Sequence, residues 1–242
     1  MSMTPEQQWL LVGCGLIAHA DEVLHVGEWE SALRLIDYAI SEPDRERWRA
    51  IFADIDELED HFVRLPPLDA DRRRGILHRC WKMALVDGGA SDIEETVHDR
   101  LARRLGITDE EVAAWREAWT QEAYDYAEMV AGLAAAFVNL DGELGIQEAI
   151  RFEQLLERLP LPIGRRLELP HLLHRPPALE PLTERLAALG LDDRLAALAV
   201  LVPLLGASER GGRERDAYYE IAARLRIERD AADRLIAQIL GA

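Results

Sequence analysis

The chain has 242 residues, 49% of them hydrophobic, which is enough for one large core or two smaller ones. Its 45 acidic residues against 28 basic ones give a net charge of −17, which disfavours nucleic acid and bare anionic membrane and favours cations or basic protein surfaces. The longest apolar runs, WLLVGCGLIAHA and LAALAVLVPLLGA, fall short of the roughly 20 residues of a membrane span, and MSMTPEQQ has no basic signal-peptide region, so no transmembrane segment and a cytoplasmic location are expected.

In chain order the first element is a helix with Thr4 as N-cap, Pro5 at its first position and Gln7 completing a capping box. Its apolar run leads into AHADEVLHVGE, which holds Asp21 and Glu28. Trp48 and Phe52 stand one helical turn apart in the next region. The segment Met83–Glu95, MALVDGGASDIEE, sets an Asp-Gly turn at Asp87 between an apolar run and an acidic helix start at Ser91 and Glu94. Gly106 then ends a helix, and Thr108 with Glu111 opens another. Thr108 to Val130 contains no Gly or Pro, which predicts a long helix joining the two halves of the chain.

Beyond it, VNLDGELGIQE holds Asp141 and Glu148, and the Pro-rich LPLPIGRRLELPHLLHRPPALEP predicts short helical turns and loops on the surface. PLLGASERGGRE keeps Glu214 but has Ala207 in place of Asp. No sustained alternation of apolar and polar residues occurs, so the expected fold is all-α.

The spacing is regular. Asp21 to Asp141 and Asp87 to Ala207 are both 120 residues, and the two copies within each half are 66 apart. Fourteen residues after the Asp position stand Leu35, Leu101, Leu155 and Ile221, an apolar core position in all four copies. This predicts a tandem duplication: a helical unit over 1–120 and a degenerate second over 121–242, each a pseudo-twofold pair of helix–turn–helix elements.

The paired carboxylates have two readings. A turn at Asp87–Gly88 and a Ser91/Glu94 capping box account fully for the best copy, the cap contributing about 0.3–1 kcal/mol through the helix dipole. The equivalent N-cap positions His25, Gly145 and Gly211 offer no hydroxyl, yet Glu recurs in every copy. On that ground Asp87/Glu94, Asp21/Glu28 and Asp141/Glu148 are candidate ligands for a divalent cation such as Ca, Mg, Mn or Zn, with Asp92, Glu22, Glu30 and Glu143 nearby.

Cys14 and Cys80 share one repeat position with Ala134 and Val200, which marks a small buried site. Glu22/His25 and Glu95/His98 have Glu-x-x-His spacing, but at non-equivalent places in the repeat, which weakens a di-iron carboxylate enzyme as the reading. Neither a nucleophile motif nor a phosphate-cradling Gly loop occurs, so neither enzymatic activity nor an organic cofactor is expected.

The stretch KMALVDGGASDIEETVHDRLARRLGITDEEVAAW resembles the core of the TerB-like tellurite-resistance family, through Ala84, Asp87, Gly88, Glu94, Leu105, Gly106 and Ile107. AAFVNLDGELGIQEAIRFEQLLERL is similar through Asp141, Gly142 and Glu148, and Asp21 and Glu28 match with Glu22 in place of Gly. The resemblance implies two tandem helical units, a surface associated with divalent cations, and a stress-response role near tellurite chemistry. It also implies protein partners, including membrane-proximal complexes. The alternative is a metal-independent scaffold docking a basic partner or a second copy of itself.

Overall fold

The computed structural model describes residues 3–20, 32, 36, 40, 42–140, 144–206 and 212–241. Among them the secondary structure is helical, without a strand, so the fold is all-α. No helix of the described residues is long and apolar enough to cross a membrane. Two compact units are present: residues 1–124 with 160–162, and residues 125–159 with 163–242.

The first unit is built around α1 (Pro5–Ala18), whose Thr4/Gln7 capping box forms as the sequence predicts. Every α1 residue from Trp9 to Ala18 is buried. A helix apolar on all sides belongs in the middle of a core. Around it lie α2 (Glu42–Phe52), α3 (Ile55–Val63), α4 (Ala70–Ala84) and α5 (Asp92–Arg104), with α3, α4 and α5 making its main contacts. Leu11, Ile17, Phe52, Leu58, Leu77 and Leu101 are fully buried there.

α1 and α4 meet closely because Gly13 leaves room for a sulfur. A Cβ at Gly13 would lie 2.6 Å from Cys80 Sγ. Cys14 and Cys80 are both buried thiols with their side chains together, and the Cys14 contact and burial push the Cys80 thiol well up. The shared repeat position is thus a core position.

α6 (Asp109–Val138) is a 30-residue helix opened by the Thr108/Glu111 pair. Its residues Met129–Val138 are all buried, with Gly132 lying against Pro177 and Leu182. The second unit adds α7 (Ile146–Glu157), α8 (Ile163–Glu168), a 3-10 turn (Leu169–Leu173), α9 (Leu179–Ala187) and α10 (Leu191–Ala199). A second 3-10 turn (Val202–Gly206), α11 (Gly212–Arg224) and α12 (Arg229–Leu240) complete it. Phe152, Leu186, Leu198, Tyr218, Ile221 and Leu225 are among its most buried side chains.

Two helix ends 120 residues apart close in the same way. After α5, Ile107 N–H reaches Ala102 O at 3.0 Å around Gly106, whose φ is 75°. After α11, Ile227 N–H reaches Ala222 O at 2.9 Å around Arg226, whose φ is 56°. Both are Schellman closures, which favour glycine at the left-handed residue; Arg226 holds that conformation without the glycine.

Candidate functional site

The Asp87–Glu94 corner is held by backbone and by Glu94 itself. α4 ends through Leu85 N–H to Trp81 O, and Gly88 N–H then returns to Leu85 O at 3.0 Å. Gly88 has a φ of 113°, open to glycine and strained for other residues. Its carbonyl accepts the Tyr124 hydroxyl at 3.3 Å. At the far side Ser91 Oγ accepts Glu94 N–H at 3.2 Å, and Glu94 Oε2 accepts Ser91 N–H at 2.7 Å. Glu94 is only 7% exposed, whereas Asp87 and Asp92 are exposed.

The second copy corrects one step of the sequence argument. Gly145 offers no side chain, yet Glu148 Oε2 still accepts Gly145 N–H at 2.6 Å, and Glu148 is 6% exposed. Half of a capping box needs no hydroxyl, so the recurrence of Glu has a structural cause even where the N-cap is glycine. Glu214 sits in the first turn of α11. Asp21, Glu28 and Asp141 lie outside the described residues, as do Glu22, His25, Glu30, Glu143 and Ala207. Among the described residues no group of three or more His, Cys, Asp or Glu side chains is placed to hold a metal ion.

His98, the described histidine of the Glu-x-x-His pairs, is a core residue. It is fully buried, and its Nε2 bonds Leu77 O at 2.9 Å, while Glu95 stays exposed. A carbonyl only accepts, so Nε2 carries the proton and Nδ1, which has no hydrogen-bond partner, is the bare nitrogen. Trp81 and Trp119 stand edge-on to the ring at 5.2 and 6.3 Å. Burial pushes the imidazole down to about 4; Arg116 pushes the same way, against the Leu77 carbonyl and Asp99.

Two clefts carry the remaining chemistry, and sequence reasoning found neither. In the second unit a groove of about 420 Å³ has Met129, Leu169 and Leu182 in its floor and a mixed-sign rim, where Arg165 pairs with Glu128 at 3.1 Å. In the first unit a cleft of about 290 Å³ is lined by Trp9, the Leu65–Leu68 loop, Leu105, Arg73 and Arg104. The sequence signals were the Pro66–Pro67 pair and the Arg72–Arg74 run, which composition alone leaves unassigned.

Compared with protein-family models, curated proteins and solved structures, the chain finds no match.

Proposed function

We infer that the chain is a non-catalytic helical module that works by binding protein, of the TerB-like kind and placed by that resemblance in the cytoplasmic response to tellurite or related chemical stress. The observation that carries the binding role is a set of apolar side chains facing solvent at helical spacing in the second unit. Ile163 and Leu167 on α8 are 72% and 75% exposed, one turn apart on one face. Ile146 and Ile150 on α7 repeat the arrangement at 79% and 41%. Exposed apolar pairs of this kind, each on one face of a helix, offer surface that another protein can cover.

The cation role of Asp87/Glu94 is the second reading, favoured by an exposed Asp87 standing seven residues before a fixed carboxylate. It ranks lower because Glu94 Oε2 already holds Ser91 N–H. An ion taking that oxygen would displace the cap and sit at the positive end of the α5 dipole.

The test is to immobilise the chain and its double variant Ile163→Asp/Leu167→Asp, then quantify by mass spectrometry what each retains from a lysate of the source cells. A partner retained by the wild type and lost with the double variant, at unchanged melting temperature, is the expected result. Identical retention by both would remove this face as the binding surface.

A further inference from the structure

We propose that the cleft between the Leu65–Leu68 loop and the end of α5 is a docking site for an acidic peptide segment, a carboxylate side chain beside an apolar one. It lies in the first unit and stands whether or not the second-unit helices bind anything.

Charge gives the first requirement. The chain carries 45 acidic residues against 28 basic ones, so an arginine here has carboxylates in excess to pair with. Its neighbours do so: Arg64 pairs with Asp60 at 2.9 Å, Arg103 with Asp109 at 3.4 Å, and Arg72 with Asp71 and Glu6 at 3.5 and 3.8 Å. Arg73 and Arg104 do not. Arg73 Nε donates to Leu68 O at 3.2 Å, and Arg104 Nη2 donates to Val63 O at 3.2 Å. Arg73 is thereby tethered to the loop and Arg104 to the end of α3, each through one nitrogen, with its other N–H groups left for a ligand. Among the described residues neither has an ion-pair partner, and no carboxylate lines the cleft.

The walls give the second requirement. Trp9, Leu65, Leu68 and Leu105 are each at most 7% exposed, and Trp9 is fixed by its indole N–H on Pro66 O at 2.8 Å. An apolar-walled slot with two tethered arginines in its lining matches a carboxylate on an apolar body, with the fork geometry of Arg giving directional bonds. The volume of about 290 Å³ lies at the lower end for small-molecule sites and suits side chains from a passing chain. Gly106 lacks a side chain and stands beside Arg73, where a Cβ would lie 3.6 Å from Nη1.

The Trp9 indole N–H resonance is a reporter inside the cleft wall, assigned by its loss in Trp9→Phe. The probe is the acetylated, amidated peptide Leu-Glu-Leu-Glu-Leu, titrated into the full chain at low salt and again at high salt. The expected result is a saturable shift that weakens with ionic strength. Replacing both Glu by Gln in the peptide weakens binding by about tenfold or more, the scale of one charge-assisted contact. Arg104→Gln, at an exposed position, weakens it likewise at unchanged melting temperature, and Arg73→Gln provides the second arm. The proposal fails if the peptide gives no saturable shift into the millimolar range. It also fails if the Gln peptide binds equally, or if Arg104→Gln is without effect. Benzoate binding as tightly as the peptide would make the cleft a small-acid site and overturn the peptide assignment.

Discussion

The first unit loses about 3 kcal/mol of stability as pH falls from 7 to 4, and His98→Gln abolishes most of that slope. His98 titrates at about 4 in the folded chain against 6.5 for an ordinary histidine. Between those values the unfolded chain binds the proton and the folded chain does not, so stability falls with pH. The contribution is complete above pH 6.5, declines through that window and is spent below 4, at about 1.4 kcal/mol for each unit of pKa difference. Protonation would place a positive charge on an imidazole close to the Arg116 guanidinium, in a pocket of Trp81 and Trp119.

Gln keeps an N–H donor for the Leu77 carbonyl and does not titrate. The readout favours this unit: all six tryptophans lie between Trp9 and Trp119, so indole fluorescence in urea follows it selectively. Glu59, held below its ordinary range by Arg100, stabilises above the carboxylate range and loses that contribution only as pH falls below about 4.5. The part of the slope between 6.5 and 4.5 that His98→Gln removes therefore reports on His98. An equal slope in His98→Gln would show that other groups carry it.

Gly13→Ala destabilises the same unit by about 1–3 kcal/mol, and Cys80→Ala in the same chain recovers much of it. Alanine in a helix is normally favoured over glycine by about 1 kcal/mol, so the expected sign runs against propensity. It does so because the new Cβ meets Cys80 Sγ at 2.6 Å and Leu101 at 3.5 Å, an overpacking that moves α1 from α4. Removing the sulfur makes the space, so the two changes are strongly coupled. Urea midpoints of the wild type, both single variants and the double variant decide it; additive effects would contradict the close approach.

Much of the fold was legible because its signals are local. Thr4/Gln7, Ser91/Glu94, Thr108/Glu111 and Gly106 all sit where the sequence places them, since capping and left-handed closure depend on a few neighbouring residues. The long helix was legible from the absence of breakers and runs on to Val138. The burial of Cys14 and Cys80 followed from the residue types sharing their repeat position, but Gly13 as the partner of Cys80 did not, because that contact joins elements far apart in sequence.

The candidate site was legible only in part. Carboxylate spacing identified Glu94 and Glu148 as belonging together. It could not tell a ligand from a cap, since both uses ask for an acid at a helix start. His98 read as half of a Glu-x-x-His pair; its burial and its bond to Leu77 depend on α4, which sequence spacing does not see. The Arg73/Arg104 cleft comes from the meeting of two helix ends and a proline loop, and no linear motif encodes it.

The most direct test of the account is a thermal melt of chelator-stripped protein, alone and with Ca²⁺, Mg²⁺, Mn²⁺ or Zn²⁺, for the wild type and Asp87→Ala. An ion at about 100 times its Kd stabilises its site by about 2.7 kcal/mol, a shift on the order of 5–15 °C for a unit of this size. With Glu94 serving as a helix cap in a protein-binding module, the wild-type curves coincide for all four ions. A rise given by one ion and lost in Asp87→Ala would contradict that and make the corner a cation site.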